Sequence, residues 1–498
     1  MAREREARRD LDVRGDVRHY TGPGRVAHWL PVLLVLALLG GSVAAYRYDL
    51  GPRYLPWLSA DPETEPAAVA PPPGLDLPEW TAPVIAPALP TTGRIDPVAV
   101  AAALGPLLDD PDLGKHVVAA VGDLTFGSEW TSVEKPDTYL PASTTKLLTV
   151  AAALEHLGPE ARFTTRVVSG TSPREVVLVG GGDPYLASKP LTPDGAATAF
   201  PPRVDVVTLA REAAEALGGS GRVRVSYDDG LFTGPTASAG WRSDYVPDDI
   251  VSPITALMVD GGREADGYAR ADDPSLQAAR AFADGLAQAG MKVRGKVARV
   301  VVPPDAAELA AVESARLGDI AERVLDVSDN EGAEVLGHHV GLATSGTGSF
   351  AAGAAGVGTT LQGWGIDTSG LRLYDGSGLS RQNRVSAATV LAVLRRVAGS
   401  EGGPLRSAVT GLPVAAFTGS LTYRFDEGPK AARGVVRAKT GTLTGVHALA
   451  GLATGRDGVV MAFVVAADKV AEADGLDAQE AIDQAAAALA ACRCAASG

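Results

Sequence analysis

Pro141-Ala-Ser-Thr-Thr-Lys-Leu-Leu-Thr149 decides how this chain is read, because it sets a hydroxyl and an amine three residues apart at the mouth of an apolar helix. Leu147, Val150, Ala151, Leu154 and Leu157 follow the i, i+3, i+4, i+7 spacing of a buried stripe, so a helix is expected over residues 143–157. Gly158-Pro159 ends it. Ser143 and Lys146 then share one helical face, with Ser143 in the first turn, where free N–H groups favour developing negative charge. The pattern suits a serine nucleophile with a lysine as base, provided burial or a second cation draws the lysine below its ordinary value of about 10.4. Alone it is a weak signal, since any helix start with an exposed lysine shows the same spacing.

The rest of the chain narrows the choices. Its 498 residues have room for two or three domains. A net charge of −14 with scattered lysines and arginines argues against a nucleic-acid face. The two cysteines, Cys492 and Cys494, exclude a disulfide scaffold and a cysteine-based zinc site. A Cys-x-Cys bridge would be strained, so two surface thiols or an intermolecular link are expected. The histidines show no metal spacing, His338 and His339 being adjacent on a helix, and neither a metal nor a cofactor is expected.

Residues 1–25 carry seven Arg against five acids and read as a polar cytoplasmic tail. Residues 26–46 hold no charged side chain, long enough to cross a bilayer, and the Arg-rich flank should stay inside. A single-pass anchor with an extracellular bulk is favoured over a cleaved signal peptide, although Gly40-Gly-Ser-Val-Ala-Ala45 offers a peptidase small residues. Cleavage would make the protein secreted. Residues 47–94 form a Pro-rich linker: eleven of the forty residues 51–90 are proline, which suits an extended spacer and not a core.

From residue 95 a compact pattern begins, with a helix near 97–108 and a strand near 115–123. Three more strands are expected near 434–440, 445–454 and 458–467, and an Ala-rich helix from about 477 to 491. Strands from both ends with flanking helices predict an α+β fold: one antiparallel sheet built by 95–163 and 319–498. Residues 164–318 read as an inserted α/β domain, with a hairpin over 166–179, helices at 204–217 and 275–289, and a break at Pro303-Pro304.

Two further constellations lift Ser143 and Lys146 above an ordinary helix start. Ser328-Asp329-Asn330 precedes a helix over 331–342, putting a hydroxyl and an amide at a loop-to-helix junction. Lys439-Thr440-Gly441-Thr442 ends a strand, where the glycine leaves a bare backbone edge beside a cation and two hydroxyls, suited to docking a substrate carboxylate. Ser-x-x-Lys, Ser-x-Asn and Lys-Thr-Gly in this order form the set of penicillin-binding proteins and serine β-lactamases.

With Ser328-Asp-Asn-Glu-Gly-Ala-Glu-Val-Leu336, Asp375-Gly-Ser-Gly-Leu-Ser380, Lys439-Thr-Gly-Thr-Leu443 and Gly180-Gly-Gly-Asp-Pro184, residues 95–490 resemble one family. It is the penicillin-binding protein 4 type of D-alanyl-D-alanine carboxypeptidase/endopeptidase, the S13 peptidases. The resemblance implies a β-lactamase/transpeptidase-like fold and a serine hydrolase acting on peptidoglycan stem peptides, with β-lactams as covalent inhibitors. By the same resemblance Ser143 attacks, Lys146 is its base and Ser328 relays the proton. Asn330 holds the acyl-side amide, and Lys439, Thr440 and Thr442 grip the terminal carboxylate beside Gly441. Backbone N–H groups of Ser143 and Thr442 complete an oxyanion hole. Ser143 and Ser328 are 185 positions apart, so one insert is expected where larger members carry two. The alternatives are a serine β-lactamase or a catalytically silent wall-binding scaffold. Asp375–Ser380 has no base of its own and reads as a tight structural turn bordering the cleft.

Overall fold

The computed structural model describes residues 93–498 apart from 126, 134–136, 173, 265–266, 304, 400–402, 427 and 497–498. They belong to one compact unit, Ala88–Gly498. The expected tail, the membrane span and nearly all of the linker lie outside the described residues, among which no helix is long and apolar enough to cross a membrane.

Asp96 caps α1 (Pro97–Leu108), accepting from Val98 N at 2.9 Å, and Pro97 fills the first helical position, where a missing N–H costs nothing. Strands β1 (Val117–Asp123), β2 (Glu129–Thr131) and β3 (Thr138–Tyr139) lead into α2 (Thr145–Leu157). Gly158, at φ 78°, ends α2 where the sequence places the stop. The expected apolar stripe understates this helix. Every residue from Thr145 to Leu154 is buried, because α2 runs through the middle of the domain.

The next stretch builds its own sheet from β4 (Thr164–Ser169), β5 (Glu175–Val179), α3 (Val206–Ala216), β6 (Gly221–Asp228), α4 (Pro274–Gln288), β7 (Met291–Val293), β8 (Ala298–Arg299) and β9 (Glu308–Glu313). The order is β7-β6-β5-β4-β9, with β8 beside β6. β5, β6 and β7 are parallel, which requires the helical crossovers that α3 and α4 supply. Val176, Leu178, Leu209 and Phe282 pack between the two layers. Pro303-Pro304 does not end this sheet: β9 follows it and pairs with β4. Glu308-Leu-Ala-Ala-Val-Glu313 lacks β-branched alternation, so its strand state comes from its partner and not from propensity.

The chain then returns with α5 (Leu317–Asp326), α6 (Asn330–Ser345), α7 (Phe350–Gly363), β10 (Val385–Ser386) and α8 (Ala387–Ala398). It closes with β11 (Arg437–Leu443), β12 (Val446–Thr454), β13 (Val460–Ala467) and α9 (Gly475–Ala491). The five-stranded antiparallel sheet β11-β12-β13-β1-β2 joins the two ends of the sequence. In β13, Ala462, Val464 and Ala466 face the core around α2, whereas Met461, Phe463 and Val465 face that of α1 and α9. A sheet covered on both faces explains the unbroken apolar run of this strand. Each large side chain buried there contributes about 1.5–3 kcal/mol.

Cys492 and Cys494 are bonded to each other, which corrects the expectation of surface thiols or an intermolecular link. Their Cα atoms lie 5.5 Å apart, inside the ordinary range for a disulfide, and Cys494 is fully buried against the α1 and α9 core.

Candidate active site

Ser143 does not lie in α2. A 3-10 turn, Ala142–Thr144, precedes the helix, and Ala142 takes a left-handed φ of 46°. Two glycines hold this turn from opposite sides. A Cβ on Gly378 would come within 1.8 Å of Ala142 O, and one on Gly441 within 2.6 Å of Pro141 O. Only residues without side chains allow strand β11 and the Asp375–Ser380 turn to close so tightly on the serine.

Lys146, one turn on, is fully buried. Its Nζ lies 2.9 Å from Ser143 Oγ, 2.8 Å from Asn330 Oδ1 and 2.7 Å from Ser377 O. Burial draws its pKa down to about 8, against the opposing pull of Glu334, Asp375, Asp329 and Glu331. Of the two causes envisaged from the sequence, burial and a second cation, burial leads. Repulsion between the two lysines is felt at Lys439, which burial and Lys146 together hold well below its ordinary value.

A base must be neutral to take the Ser143 proton, so acylation should rise with pH. The rate of penicillin acylation is expected to climb about tenfold per unit below a midpoint near pH 8 and to level off above it, measured by stopped reactions from pH 6 to 10.

The third ligand of Lys146 comes from the turn that reads as merely structural in the sequence. Glu334 is fully buried and accepts from Gly376 N and Ser377 N, both at 2.8 Å. The Gly376 and Ser377 carbonyls then point at Thr149 Oγ1 and Lys146 Nζ, each at 2.7 Å. Asp375 ties the same turn together, accepting from Gly378 N, Ser380 N and Asn383 Nδ2, and from Trp241 Nε1 at 2.8 Å. Burial, with Asp375 adding to it, raises the Glu334 pKa. Glu334→Gln should shift the acylation midpoint to lower pH, because Glu334 is the largest charge holding the Lys146 pKa up. The same change sets an amide N–H₂ against a backbone N–H, at a cost of about 1–3 kcal/mol in thermal or urea unfolding.

Ser328 and its neighbours form the second wall. Asp329, not Ser328, caps α6, accepting from Gly332 N at 3.1 Å, and Asn330 opens the helix. Ser328 is half-buried at φ 59°, a left-handed conformation costing a serine about 1–3 kcal/mol and typical of functional sites. Among the described residues its hydroxyl makes no hydrogen bond with Ser143 or Lys146.

On the third wall, Lys439 is fully buried and presents no open ammonium. Its Nζ donates to Thr440 O at 2.9 Å and reaches Thr440 Oγ1 at 3.4 Å. Thr440 Oγ1 pairs with Ser420 Oγ at 2.8 Å, and Thr442 is exposed at the strand end. The ammonium is therefore sealed behind Thr440, and Thr442 carries the exposed hydroxyl of this strand end.

The structure thus joins Ser143, Lys146 and Asn330 directly and lays Gly441 against their turn. Sequence reasoning missed Glu334, Ser377 and Ser420. Glu334 lies four residues after Asn330 on the same helical face, a signal that was present; nothing in the sequence marks Ser420. A cavity of 820 Å³ along α7 holds none of these residues.

Comparison with known proteins places the chain in a family. A family model described as the D-Ala-D-Ala carboxypeptidase 3 (S13) family matches residues 100–266 and 264–489. Carboxypeptidase Rv3627c of Mycobacterium tuberculosis is 35% identical over 83% of this chain and 88% of its own length. Carboxypeptidase DacB of Mycolicibacterium smegmatis is 34% identical over 94% of this chain and 98% of its own. The crystal structure of penicillin binding protein 4 from Haemophilus influenzae superposes with a TM-score of 0.64 at 21% identity, covering 77% of this chain and 97% of that one, and so shares the fold. The family match and these relatives define a serine penicillin-recognising peptidoglycan hydrolase. The chain belongs to the S13 family of D-Ala-D-Ala carboxypeptidases.

Proposed function

We propose that Ser143 is the nucleophile of a DD-peptidase that acts on peptidoglycan stem peptides ending in D-Ala-D-Ala. The observation that carries this reading is the 2.9 Å contact between Ser143 Oγ and the fully buried Lys146 Nζ. Neutral Lys146 takes the hydroxyl proton as Ser143 Oγ bonds to the carbonyl carbon of the penultimate D-Ala. The N–H groups of Ser143 and Thr442 receive the oxyanion, a pair in which each donor is worth about 10²–10³ in rate. The proton passes by way of Ser328 to the nitrogen of the leaving D-Ala, the C–N bond breaks, and an ester on Ser143 remains for water to hydrolyse. Asn330 orients the acyl-side amide. Thr440, Gly441 and Thr442 seat the terminal carboxylate, and Lys439 supports them from behind through Thr440. A β-lactam presents the same serine with a strained amide and leaves a stable ester.

The anchored placement belongs to the same reading: 26–46 as a membrane span with the N-terminus cytoplasmic, 47–94 as a spacer, 164–318 as a domain inserted in the catalytic unit. The charge-free run and its Arg-rich flank support it. Cell fractionation tests it, since removal of residues 1–46 should release the protein from the membrane fraction. Mass spectrometry of purified wall fragments after digestion tests the chemistry. Loss of terminal D-Ala marks a carboxypeptidase, cut cross-links mark an endopeptidase, and unchanged fragments would overturn both.

A further inference from the structure

Beside Ser328 and Asn330 the cleft opens into a cavity of 660 Å³ whose polar walls come from both sheets' units. Tyr185 reaches in from the Gly180-Gly-Gly-Asp-Pro184 stretch, and its O–H donates to Asp329 Oδ2 at 2.8 Å, locking that stretch to the middle residue of Ser328-Asp329-Asn330. Two guanidiniums flank the tyrosine: Arg203 lies over its ring at 5.5 Å, and Arg323, from α5, acts on the same phenol.

The charges lining this cavity are unevenly committed. Asp329 already accepts from Gly332 N and Tyr185, and Glu331 is buried against Arg270 Nη2 at 3.2 Å and Ser252 N at 3.2 Å. Asp260 accepts from Ser188 N at 3.3 Å, and Asp183, whose carboxyl feels the Arg203 charge, is buried and pushed up to about 7 by that burial. Among the described residues neither Arg203 nor Arg323 has an ion-pair partner, and Arg203 Nε is buried with no acceptor at all. A buried guanidinium N–H without an acceptor costs free energy that a ligand oxygen would recover. Lys189, Arg263 and Arg270 line the same cavity, Arg270 being taken up by Glu331, and the two guanidiniums beside Tyr185 match a carboxylate better than a single point charge would.

We infer that Arg203 and Arg323 form a subsite for a second carboxylate of the peptide substrate, one carried on the acyl side of the scissile bond and separate from the C-terminal carboxylate seated at Thr442. The inference rests on the DD-peptidase reading above. Its position follows from Asn330, which faces both the cavity and Lys146 and is the residue assigned to the acyl-side amide. A stem peptide with γ-linked D-Glu keeps a free α-carboxylate upstream of the D-Ala-D-Ala end, so the subsite would favour peptides in which that group is not amidated.

The test uses two pentapeptides ending in D-Ala-D-Ala, identical except that the D-Glu α-carboxyl is free in one and amidated in the other. Release of D-Ala gives kcat/KM for each, and their ratio cancels any loss of active enzyme in a variant. The wild type should prefer the free acid by about ten- to a hundredfold, the range of a charge-assisted pair, and the preference should shrink as salt rises. Arg203→Gln and Arg323→Gln should each bring the ratio most of the way to one. A wild-type ratio near one, or the same ratio in wild type and both variants, would overturn the subsite while leaving the peptidase intact. Cleavage of neither peptide by the wild type would bring down the peptidase reading and the subsite together.

Discussion

Ser143→Ala should abolish covalent labelling by fluorescent penicillin and cut D-Ala release by on the order of 10⁴–10⁶-fold, the range seen when a serine nucleophile is removed from a hydrolase. The residual rate would come from the oxyanion donors and the bound geometry alone. The fold should survive the change. Ser143 Oγ is one of three partners of Lys146 Nζ, and Asn330 Oδ1 and Ser377 O remain at 2.8 and 2.7 Å. An unchanged melting temperature with no adduct in intact-protein mass spectrometry is the expected pair of results. Equal labelling of wild type and variant would remove Ser143 from the mechanism. Rapid nitrocefin hydrolysis by the wild type, in place of a long-lived adduct, would instead mark a β-lactamase.

Much of this site is legible from residue order because catalysis constrains short spacings. Ser143 and Lys146 lie one helical turn apart whatever surrounds them, and Ser328-Asp329-Asn330 sits at a helix start in the sequence as in the fold. The antiparallel sheet is legible for a similar reason: β12 and β13 are long apolar runs with a Gly-marked turn between them. What fails to show is whatever depends on two distant segments meeting. The depressed pKa of Lys146 arises from burial under the Gly376-Ser377 turn, more than 200 positions away, and no local pattern encodes that. Lys439 looks like a cation at an open strand end, yet it is sealed behind Thr440. β9 has no strand signal of its own, and α7, Phe350–Gly363, hides among its glycines. Those glycines have a packing reason: a Cβ on Gly353 would lie 2.3 Å from Gly337 O of α6.

Lys146→Met is the complementary experiment, because it separates the base from the scaffold. Methionine fills nearly the same volume in a fully buried position, so packing is kept while the amine is lost. Two effects on stability then oppose each other. Removing a lysine whose pKa is drawn down to about 8 abolishes the cost of holding its cation away from water, whereas Asn330 Oδ1 and Ser377 O lose a donor at about 1–3 kcal/mol each. The pH dependence of stability gives the sign. The unfolded chain binds the lysine proton more tightly than the folded one, so between about pH 8 and the unfolded value near 10.5 the wild type gains stability with rising pH. The methionine variant should lack that rise. Acylation by penicillin should fall by about 10²–10⁴, the ordinary worth of a general base, and the pH midpoint near 8 should vanish with it. A variant that keeps this midpoint would assign the titration to another group, and Glu334, sharing the same buried turn, is then the one to replace next.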